Sequence, residues 1–232
     1  ILRITISTNT DKAMIEISNL CKSYGRQKVL DNLSLELKEG SLTGITGRNG
    51  SGKSTLLEIL AGVITPDTGS FSIDGRTVSG AYLSHEIGYV PQVDPLVPEL
   101  SSYDNLLLWN DKADVLRQLS PGGAASMLGI NSFLKKKASK LSGGMKKRLS
   151  IASVLIRSPR MLLLDEPTTG LDLEGKNEIE KFLVGYAAEG RTVLVVSHDL
   201  SLLKDCSQIF ILKEGKAVRY EGVSVDGLSE CL

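Results

Sequence analysis

One nine-residue segment, 47–55, constrains the fold of this chain more than any other. A short apolar run at 42–46 precedes it, and an apolar-periodic stretch that predicts a helix follows it. The segment matches the pattern G-x-x-x-x-G-K-[ST] in the strand–loop–helix context that the pattern requires. Its glycines let backbone N–H groups approach phosphate oxygens, and the helix N-terminus adds the positive end of its dipole. The segment reads Gly47-Arg48-Asn49-Gly50-Ser51-Gly52-Lys53-Ser54-Thr55.

This phosphate loop predicts nucleotide binding. Lys53 is expected to act as a point charge at the β- and γ-phosphates, and Ser54 as a ligand of Mg²⁺. The alternative is a glycine-rich turn with a chance Lys-Ser pair, and the strand before the loop and the helix after it argue against that alternative.

Short apolar runs predict a parallel sheet. The runs 161–164 and 193–196 are apolar without alternation, as in strands that are buried on both faces. Strands that alternate with helices are typical of an α/β fold. The segment from about 94 to 158 carries three prolines and no strong strand run, which predicts a mostly helical insertion between two strands of the sheet. The other expected strands lie at 15–17, 42–46, 87–90 and 209–212, and the expected helices at 53–61, 146–157 and 174–189.

Polar residues follow two of the predicted strands. Asp165 and Glu166 come directly after the run 161–164, and His198 follows the run 193–196. Parallel strands end at one edge of the sheet, where ligands bind, and carboxylates at a buried strand end are costly unless they are used. We expect Asp165 to hold Mg²⁺, Glu166 to orient and deprotonate the attacking water, and His198 to sense the γ-phosphate. For the carboxylates the alternative is a solvated strand end, and for the histidine a loop residue with ordinary hydrogen bonds. His85 is assigned no role.

Composition excludes several other classes of protein. The 27 Lys and Arg residues balance 27 Asp and Glu residues, which argues against a histone-like or polybasic membrane-surface protein. Cys21, Cys206 and Cys231 show no CxxC spacing, so reduced thiols in the cytoplasm are expected rather than disulfides or a zinc site. No stretch predicts a membrane span or a signal peptide. Residues 1–13 contain no initiator Met and are interpreted as an upstream extension or a non-native segment.

Charge is nevertheless distributed unevenly along the chain. The stretch 165–180 holds six acidic residues and one lysine, and a basic cluster at 135–148 contains no acid. We expect the negative charge of the first to balance the positive charge of the second. Charge runs are usually solvated faces, and attraction of ATP or of anionic lipid headgroups are the alternatives. Nucleic-acid binding is the least favoured, because no aromatic residues interleave the cations. The basic cluster consists of Lys135, Lys136, Lys137, Lys140, Lys146, Lys147 and Arg148.

Five further motifs resemble those of the ATP-binding cassette (ABC) family, in the family's order, between about residues 14 and 222. Leu141-Ser142-Gly143-Gly144-Met145 is similar to the signature motif, although the family usually has Gln at the position of Met145. That departure puts in doubt a polar contact that Gln would make across an interface. The remaining matches are Tyr24 to the aromatic that stacks on adenine, Gln92 to the Q-loop, Gly170-Leu171-Asp172 to the D-loop and His198 to the switch histidine.

The resemblance implies a P-loop NTPase (RecA-like) core with an antiparallel β strip, at 14–93 and 159–222, and a helical subdomain at about 94–158. It implies an ATPase that uses ATP and Mg²⁺, with Glu166, His198 and Lys53 in catalysis. Mg²⁺ would be bound by Ser54, Gln92 and Asp165. The nucleotide would be contacted by Tyr24, Gly47, Arg48, Asn49, Gly50, Ser51, Gly52, Lys53, Ser54, Thr55, Gln92, Ser142, Gly143, Gly144 and Asp172.

The resemblance also implies partners. One is a second nucleotide-binding chain, in a homodimer or a heterodimer, with each ATP between the phosphate loop of one chain and the signature of the other. Ser142 can cap the following helix and leave its N–H groups free for an anion. The other is a separate transmembrane permease, which would place the chain in the cytoplasm at the inner face of the membrane. The 86 residues between Ser54 and Leu141 are too few for a long coiled coil.

Two alternatives stay open: a soluble cassette ATPase that is not linked to transport, and a non-enzymatic, ATP-gated regulatory subunit. The short sequence after residue 222 is expected to fit a small exporter subunit better than a sugar importer. No nucleic-acid partner is expected, and the transported substrate cannot be read from the sequence.

Overall fold

A computed structural model of the protein describes residues 13–78, 86–222 and 225–228. Three features named above, His85, Cys231 and nearly all of the 1–13 segment, lie outside the described residues. The strands are β1 Ala13–Tyr24, β2 Gln27–Lys38, β3 Leu42–Thr46, β4 Thr68–Ile73, β5 Arg76–Val78, β6 Ile87–Val90, β7 Met161–Asp165, β8 Thr192–Val196, β9 Gln208–Lys213 and β10 Lys216–Arg219. The α-helices are α1 Lys53–Leu60, α2 Ser102–Leu107, α3 Lys112–Leu119, α4 Ala124–Met127, α5 Gly143–Leu155, α6 Leu173–Ala188 and α7 Leu200–Leu203, with 3₁₀ turns at Ile130–Ser132, Ala138–Lys140 and Val225–Gly227.

The central sheet has the order β10-β9-β3-β8-β7-β6. The five strands from β9 to β6 are parallel, and β10 pairs antiparallel with β9 at the edge. The strand segments predicted from apolar runs are therefore confirmed as strands. Because β3, β7 and β8 are buried along their whole length, neither face of the sheet's centre is open to water.

The two faces of the sheet carry separate halves of the core. On one face, Leu163 and Leu194 pack with Leu57 of α1. On the other face, the adjacent residues Leu162 and Val193 pack with side chains of α5 and α6. Fully burying each such side chain contributes about 1.5–3 kcal/mol. The continuous apolar runs thus supply both faces, as the sequence predicted.

A second, antiparallel sheet with the order β2-β1-β4-β5 covers α1 on its far side. The sequence indicated only part of this strip, because β1 and β2 are interrupted. Asn19 and Asn32 adopt left-handed φ values of 52° and 51°, and the pairing register shifts on both sides of Leu20. The shifts break the alternation of apolar and polar residues by which a strand is recognised.

The segment 94–158 contains α2 to α5 and two 3₁₀ turns. Its β pairing among the described residues is one isolated bridge between Ser101 and Lys137. Helix α5 begins at Gly143, three residues earlier than the pattern predicted, because Ser142 caps it. The mostly helical character expected of this segment is therefore observed, whereas its boundaries as a subdomain stay a prediction.

Close contact between α5 and β6 generates a stability prediction. A Cβ atom at Gly88 would lie 2.4 Å from Val154 Cγ1 and 2.8 Å from Pro159 Cγ. We expect Gly88→Ala to lower the free energy of unfolding by about 1–3 kcal/mol through overpacking. The control is Gly185→Ala on the exposed face of α6, where nothing lies within 4 Å. It should raise that free energy by about 0.5–1 kcal/mol. Urea unfolding followed by circular dichroism measures both; equal stability of the two variants would contradict the packing argument.

Candidate functional site

A cleft of about 570 Å³ lies at the carboxyl edge of the parallel sheet. Loops that follow β3, β6, β7 and β8 form it, as expected for parallel strands that end together. Most of the residues that the sequence singled out meet here. The cleft is lined by Tyr24, Val29, Asn49, Gly50, Gly52, Lys53, Ser54, Thr55, Gln92, Asp165, Glu166, Thr169 and His198.

The phosphate loop needs glycine for steric reasons at two positions. Gly47 and Gly52 have φ values of 151° and 103°. A Cβ at Gly47 would lie 2.4 Å from the carbonyl oxygen of Leu212, and one at Gly52 would lie 2.9 Å from Val29 Cγ1. The loop thus approaches its surroundings more closely than any other residue type permits. Since no side chain of the described residues caps α1, the N–H groups of its first turn stay available to an anion.

The side chain of Lys53 folds back onto the phosphate loop. Its Nζ donates to the carbonyl oxygens of Gly47 at 2.6 Å and Arg48 at 3.1 Å. Burial lowers the pKa of the ammonium, and the nearby carboxylates of Glu166 and Asp165 act in the opposite direction. A strongly acidic ligand such as a phosphate would reinforce the charged form.

The carboxylate of Glu166 is oriented by its neighbours. Its Oε2 accepts a hydrogen bond from Thr169 Oγ1 at 3.0 Å, and its Oε1 lies 3.5 Å from His198 Nε2. The residue has a left-handed φ of 48°, which a non-glycine residue rarely adopts. Its N–H is nevertheless fixed by the carbonyl of Val196 at 2.9 Å. Such backbone strain is typical of functional positions. Sequence reasoning missed Thr169, although a hydroxyl three residues after Glu166 was a readable signal.

Asp165, Ser54 and Gln92 supply oxygen ligands in the same cleft. Asp165 is only 4% exposed at the end of β7. These are the hard ligands that Mg²⁺ prefers, and Mg²⁺ commonly binds one or two carboxylates together with substrate phosphates. Among the described residues no cluster of three His, Cys, Asp or Glu is placed to hold a metal by itself. These three oxygen ligands therefore fit a Mg²⁺ ion that binds together with the phosphates of a nucleotide.

A second set of contacts fixes the loop that carries His198. Asp199 Oδ2 accepts from Lys176 Nζ at 2.7 Å and from Thr168 Oγ1 at 3.3 Å. Burial opposes ionisation of Asp199, but hydrogen bonds from Lys176 and Ser201 hold its pKa below the usual value. This network joins the loop after β8 to α6 and to the loop after β7. The sequence did not predict it, because the partners lie far apart along the chain.

The predicted residues Gly47, Arg48 and Ser51 line a neighbouring cleft of about 580 Å³ on the other side of the phosphate loop. The turn 213–215 between β9 and β10 forms its opposite wall. These three residues therefore border a different surface from the one that Lys53 and Ser54 line.

The signature residues lie apart from the cleft. Ser142 Oγ accepts from the N–H of Met145 at 3.3 Å and caps α5, and Ser142 and Gly143 are exposed. Gly144 is buried, where a Cβ would lie 3.1 Å from Gly175 Cα. Asp172 caps α6 by accepting from the N–H of Gly175 at 2.9 Å. The chain thus presents a second, outward-facing helix N-terminus at a distance from its own phosphate loop.

The basic cluster at 135–148 divides into two groups. Lys135, Lys136, Lys137 and Lys140 are exposed, in agreement with a solvated face. That interpretation is wrong for Lys147 and Arg148. Lys147 is 3% exposed, and Arg148 donates to Leu128 O, pairs with Glu178 at 3.3 Å and lies over the ring of Phe133. Folding thus buries Lys147 and leaves Arg148 half-buried and paired, while Lys146 between the two groups is also half-buried.

Comparison with known proteins identifies the family. The ABC transporter family model matches residues 30–169. The chain belongs to the ABC transporter family. A lantibiotic transport ATP-binding protein, SrtF from Streptococcus pyogenes, is 35% identical over 218 residues, covering 90% of this chain and 92% of the relative. The linearmycin resistance ATP-binding protein LnrL from Bacillus subtilis (strain 168) is 31% identical over 211 residues, covering 88% of this chain and 68% of that protein.

Solved ABC structures share the fold. The ATP-binding cassette MJ0796, as a dimer in a post-hydrolysis state with ADP and Pi, superposes with a TM-score of 0.78 at 30% identity, covering 90% of this chain and 99% of that one. The protein cbiO1 from Clostridium perfringens, part of the complex cbiONQ, gives a TM-score of 0.78 at 28% identity, covering 94% and 91%. The expected P-loop NTPase fold is confirmed, and this ABC cassette is the ATP-binding, ATP-hydrolysing component of an ABC transporter.

The position of Tyr24 in the cleft generates a prediction about ATP binding. Its ring is half exposed beside the phosphate loop, with Lys22 Nζ 5.7 Å from the ring centroid. We expect Tyr24→Ala to weaken ATP affinity by about 5- to 150-fold, because stacking of a base on an aromatic ring contributes about 1–3 kcal/mol. Tyr24→Phe keeps the ring and should bind as the wild type does. Isothermal titration with ATP tests both variants, and unchanged affinity of Tyr24→Ala would contradict the stacking role.

Proposed function

We propose that this chain hydrolyses ATP at the interface with a second nucleotide-binding chain and thereby drives a separate membrane-spanning permease. The observation that carries the proposal is that Lys53, Glu166 and His198 line one cleft beside the N-terminus of α1, whose N–H groups are free to bind an anion. Each of these groups fits one requirement of phosphoryl transfer, which needs positioning and stabilisation of charge more than covalent chemistry.

In this mechanism Glu166 is the catalytic base. Its carboxylate orients the attacking water and takes its proton, and the hydrogen bond from Thr169 fixes the rotamer in which it does so. His198, 3.5 Å from the same carboxylate, contacts the terminal phosphate. Lys53 leaves the loop carbonyls that it now contacts and binds the β- and γ-phosphates. Its exchange of neutral carbonyls for anionic oxygens is favourable.

Mg²⁺ would be held by Ser54, Asp165 and Gln92 and would neutralise charge on the phosphate oxygens when bound. Burial of Asp165 at the end of β7 supports this role, since a carboxylate at 4% exposure needs a compensating charge. Gln92 begins the segment that leads into the helical insertion, so ligation there would connect the state of the nucleotide to residues 94–158.

The dimer supplies the signature to each site. Ser142, Gly143, Gly144 and Asp172 do not line the cleft of their own chain, and the N-terminus of α5 is exposed, so a phosphate on another chain can reach it. The post-hydrolysis dimer of MJ0796 supports the proposal of a two-chain assembly. Homodimer and heterodimer both satisfy this geometry.

We place the permease at the Q-loop side of residues 94–158, which we take as a helical subdomain inserted into a core of 14–93 and 159–222. Exposed apolar side chains, among them Val93 at 81% and Trp109 at 70%, support a contact surface there. Among the described residues no helix has the length and apolarity needed to cross a bilayer. In this proposal the chain acts at the cytoplasmic face through its permease. The names of relatives, which include Nod factor export ATP-binding protein I, support export as the direction.

Glu166→Gln tests the catalytic assignment. The amide cannot accept the proton of the attacking water, so kcat should fall by about 100-fold or more while ATP affinity stays within about twofold. ATP-dependent dimerisation, measured by size-exclusion chromatography with ATP and Mg²⁺, should persist because the product is not formed.

The matched control is Glu189→Gln, an exposed carboxylate beyond the end of α6. It should leave turnover unchanged. Wild-type turnover in Glu166→Gln would overturn the assignment of the base, and loss of ATP-dependent dimerisation would overturn the two-chain site.

A further inference from the structure

Lys147 is buried, although it belongs to the basic cluster at 135–148, whose charge pattern predicts a solvated face. Its Nζ lies 2.7 Å from Asp94 Oδ1 and donates to the carbonyl oxygens of Gln92 at 3.0 Å and Pro91 at 3.3 Å. Lysine at 3% exposure is rare unless it is paired. The ammonium of Lys147 is the group that reaches the buried Oδ1 of Asp94 and compensates its charge.

These contacts join two functional segments that are distant in sequence. Lys147 is in the second turn of α5, the helix that Ser142 caps and whose N-terminus is the signature. Its three acceptors belong to the segment that follows β6, and Gln92 is among them. The signature helix is thus bonded directly to the backbone of the Q-loop glutamine.

The two ends of α5 are held in different ways. Near its C-terminal end, Val154 packs against the backbone of β6 so closely that only glycine fits at position 88. Near its N-terminal end, the connection to the same segment is the polar contact of Lys147. Apolar packing of this kind fixes position, while a hydrogen-bonded ammonium at the other end follows any shift of the carbonyls that it binds.

We propose that Lys147 is a positioning residue that transmits movement of Gln92 in one ATP site to the signature that serves the other. The inference deepens the proposed function and rests on it. When Gln92 shifts on ligand binding, the ammonium of Lys147 moves with the carbonyl oxygen to which it is hydrogen-bonded. Helix α5 then reorients about its packed C-terminal end. Asp94 keeps the ammonium in place and supplies its counter-charge.

The alternative is an ion pair that only stabilises the fold. A stabilising pair would lower the free energy of unfolding when broken, but it would not separate ATP binding from turnover. A positioning link leaves the first binding event intact, since Lys53, Tyr24 and the phosphate loop are untouched. It should act on kcat and on the two-chain assembly.

The test compares Lys147→Met with Lys147→Arg in the full chain. Methionine fills the site without charge or donors, so kcat for ATP hydrolysis should fall by roughly ten- to a hundredfold, while KM and ATP affinity stay within about twofold. Arginine keeps the charge and donors and should recover at least about a third of the wild-type kcat. In a Glu166→Gln background, Lys147→Met should weaken ATP-dependent dimerisation.

The matched control is Lys136→Met, which removes an exposed lysine from the same basic cluster. It should keep wild-type kcat. Asp94→Asn should lower kcat in the same direction, and the double variant with Lys147→Met should be no worse than Lys147→Met alone, because the two residues act as one unit. Additive losses would contradict a shared link.

Outcomes for the link and for the proposed function are separable. If the wild type hydrolyses ATP, Glu166→Gln abolishes turnover, and a folded Lys147→Met variant retains wild-type kcat, the link is overturned and the catalytic assignment stands. An equal loss in Lys147→Met and Lys136→Met also overturns the link. If Glu166→Gln keeps wild-type turnover, the catalytic role proposed for Glu166 is overturned, whatever the result for Lys147→Met.

Discussion

Burial of the parallel sheet on both faces is the constraint on which the rest of the structure depends. The centre of β3, β7 and β8 is apolar on either side, so polar groups on these strands are tolerated only at their ends. Parallel pairing brings the carboxyl ends to one edge. The phosphate loop, Asp165 and His198 meet at that edge for this reason, although more than 140 residues separate the first from the last.

How far the sequence predicts the site follows from the same constraint. The five parallel strands and the cleft residues Lys53, Asp165, Glu166 and His198 were predictable, because a local run or motif indicates each of them, whereas the edge strand β10 was not predicted. The strip strand β1 was predictable only around 15–17, since bulges near Asn19 break its period. Contacts that depend on tertiary structure, such as Asp199 with Lys176, have no local signature.

Charge patterns were the least informative part of the sequence. The acidic stretch 165–180 predicted a negative field that would balance the basic cluster, and folding changes it by burying Asp165 and Glu180 and by pairing or capping with others. Glu178 pairs with Arg148, Glu180 is buried and accepts from Ser201 Oγ, and Asp172 caps a helix. A count of charges along the chain treats these groups as solvated, whereas burial and pairing decide which of them act at the surface.

Lys146 and Lys147 are adjacent in the basic cluster, yet their surroundings in the fold differ. A helix rotates each successive residue by 100°, so Lys146 and Lys147 face different directions, and the face of α5 that packs on β6 is the one that carries Lys147. A buried ammonium needs acceptors, and the carbonyl oxygens of Pro91 and Gln92 after β6 lie within its reach. The same helix offers its free N-terminus to solvent. One short element therefore contacts the backbone of Gln92 in its own chain through a side chain and faces outward through its N-terminus, as the proposed coupling of two nucleotide sites requires.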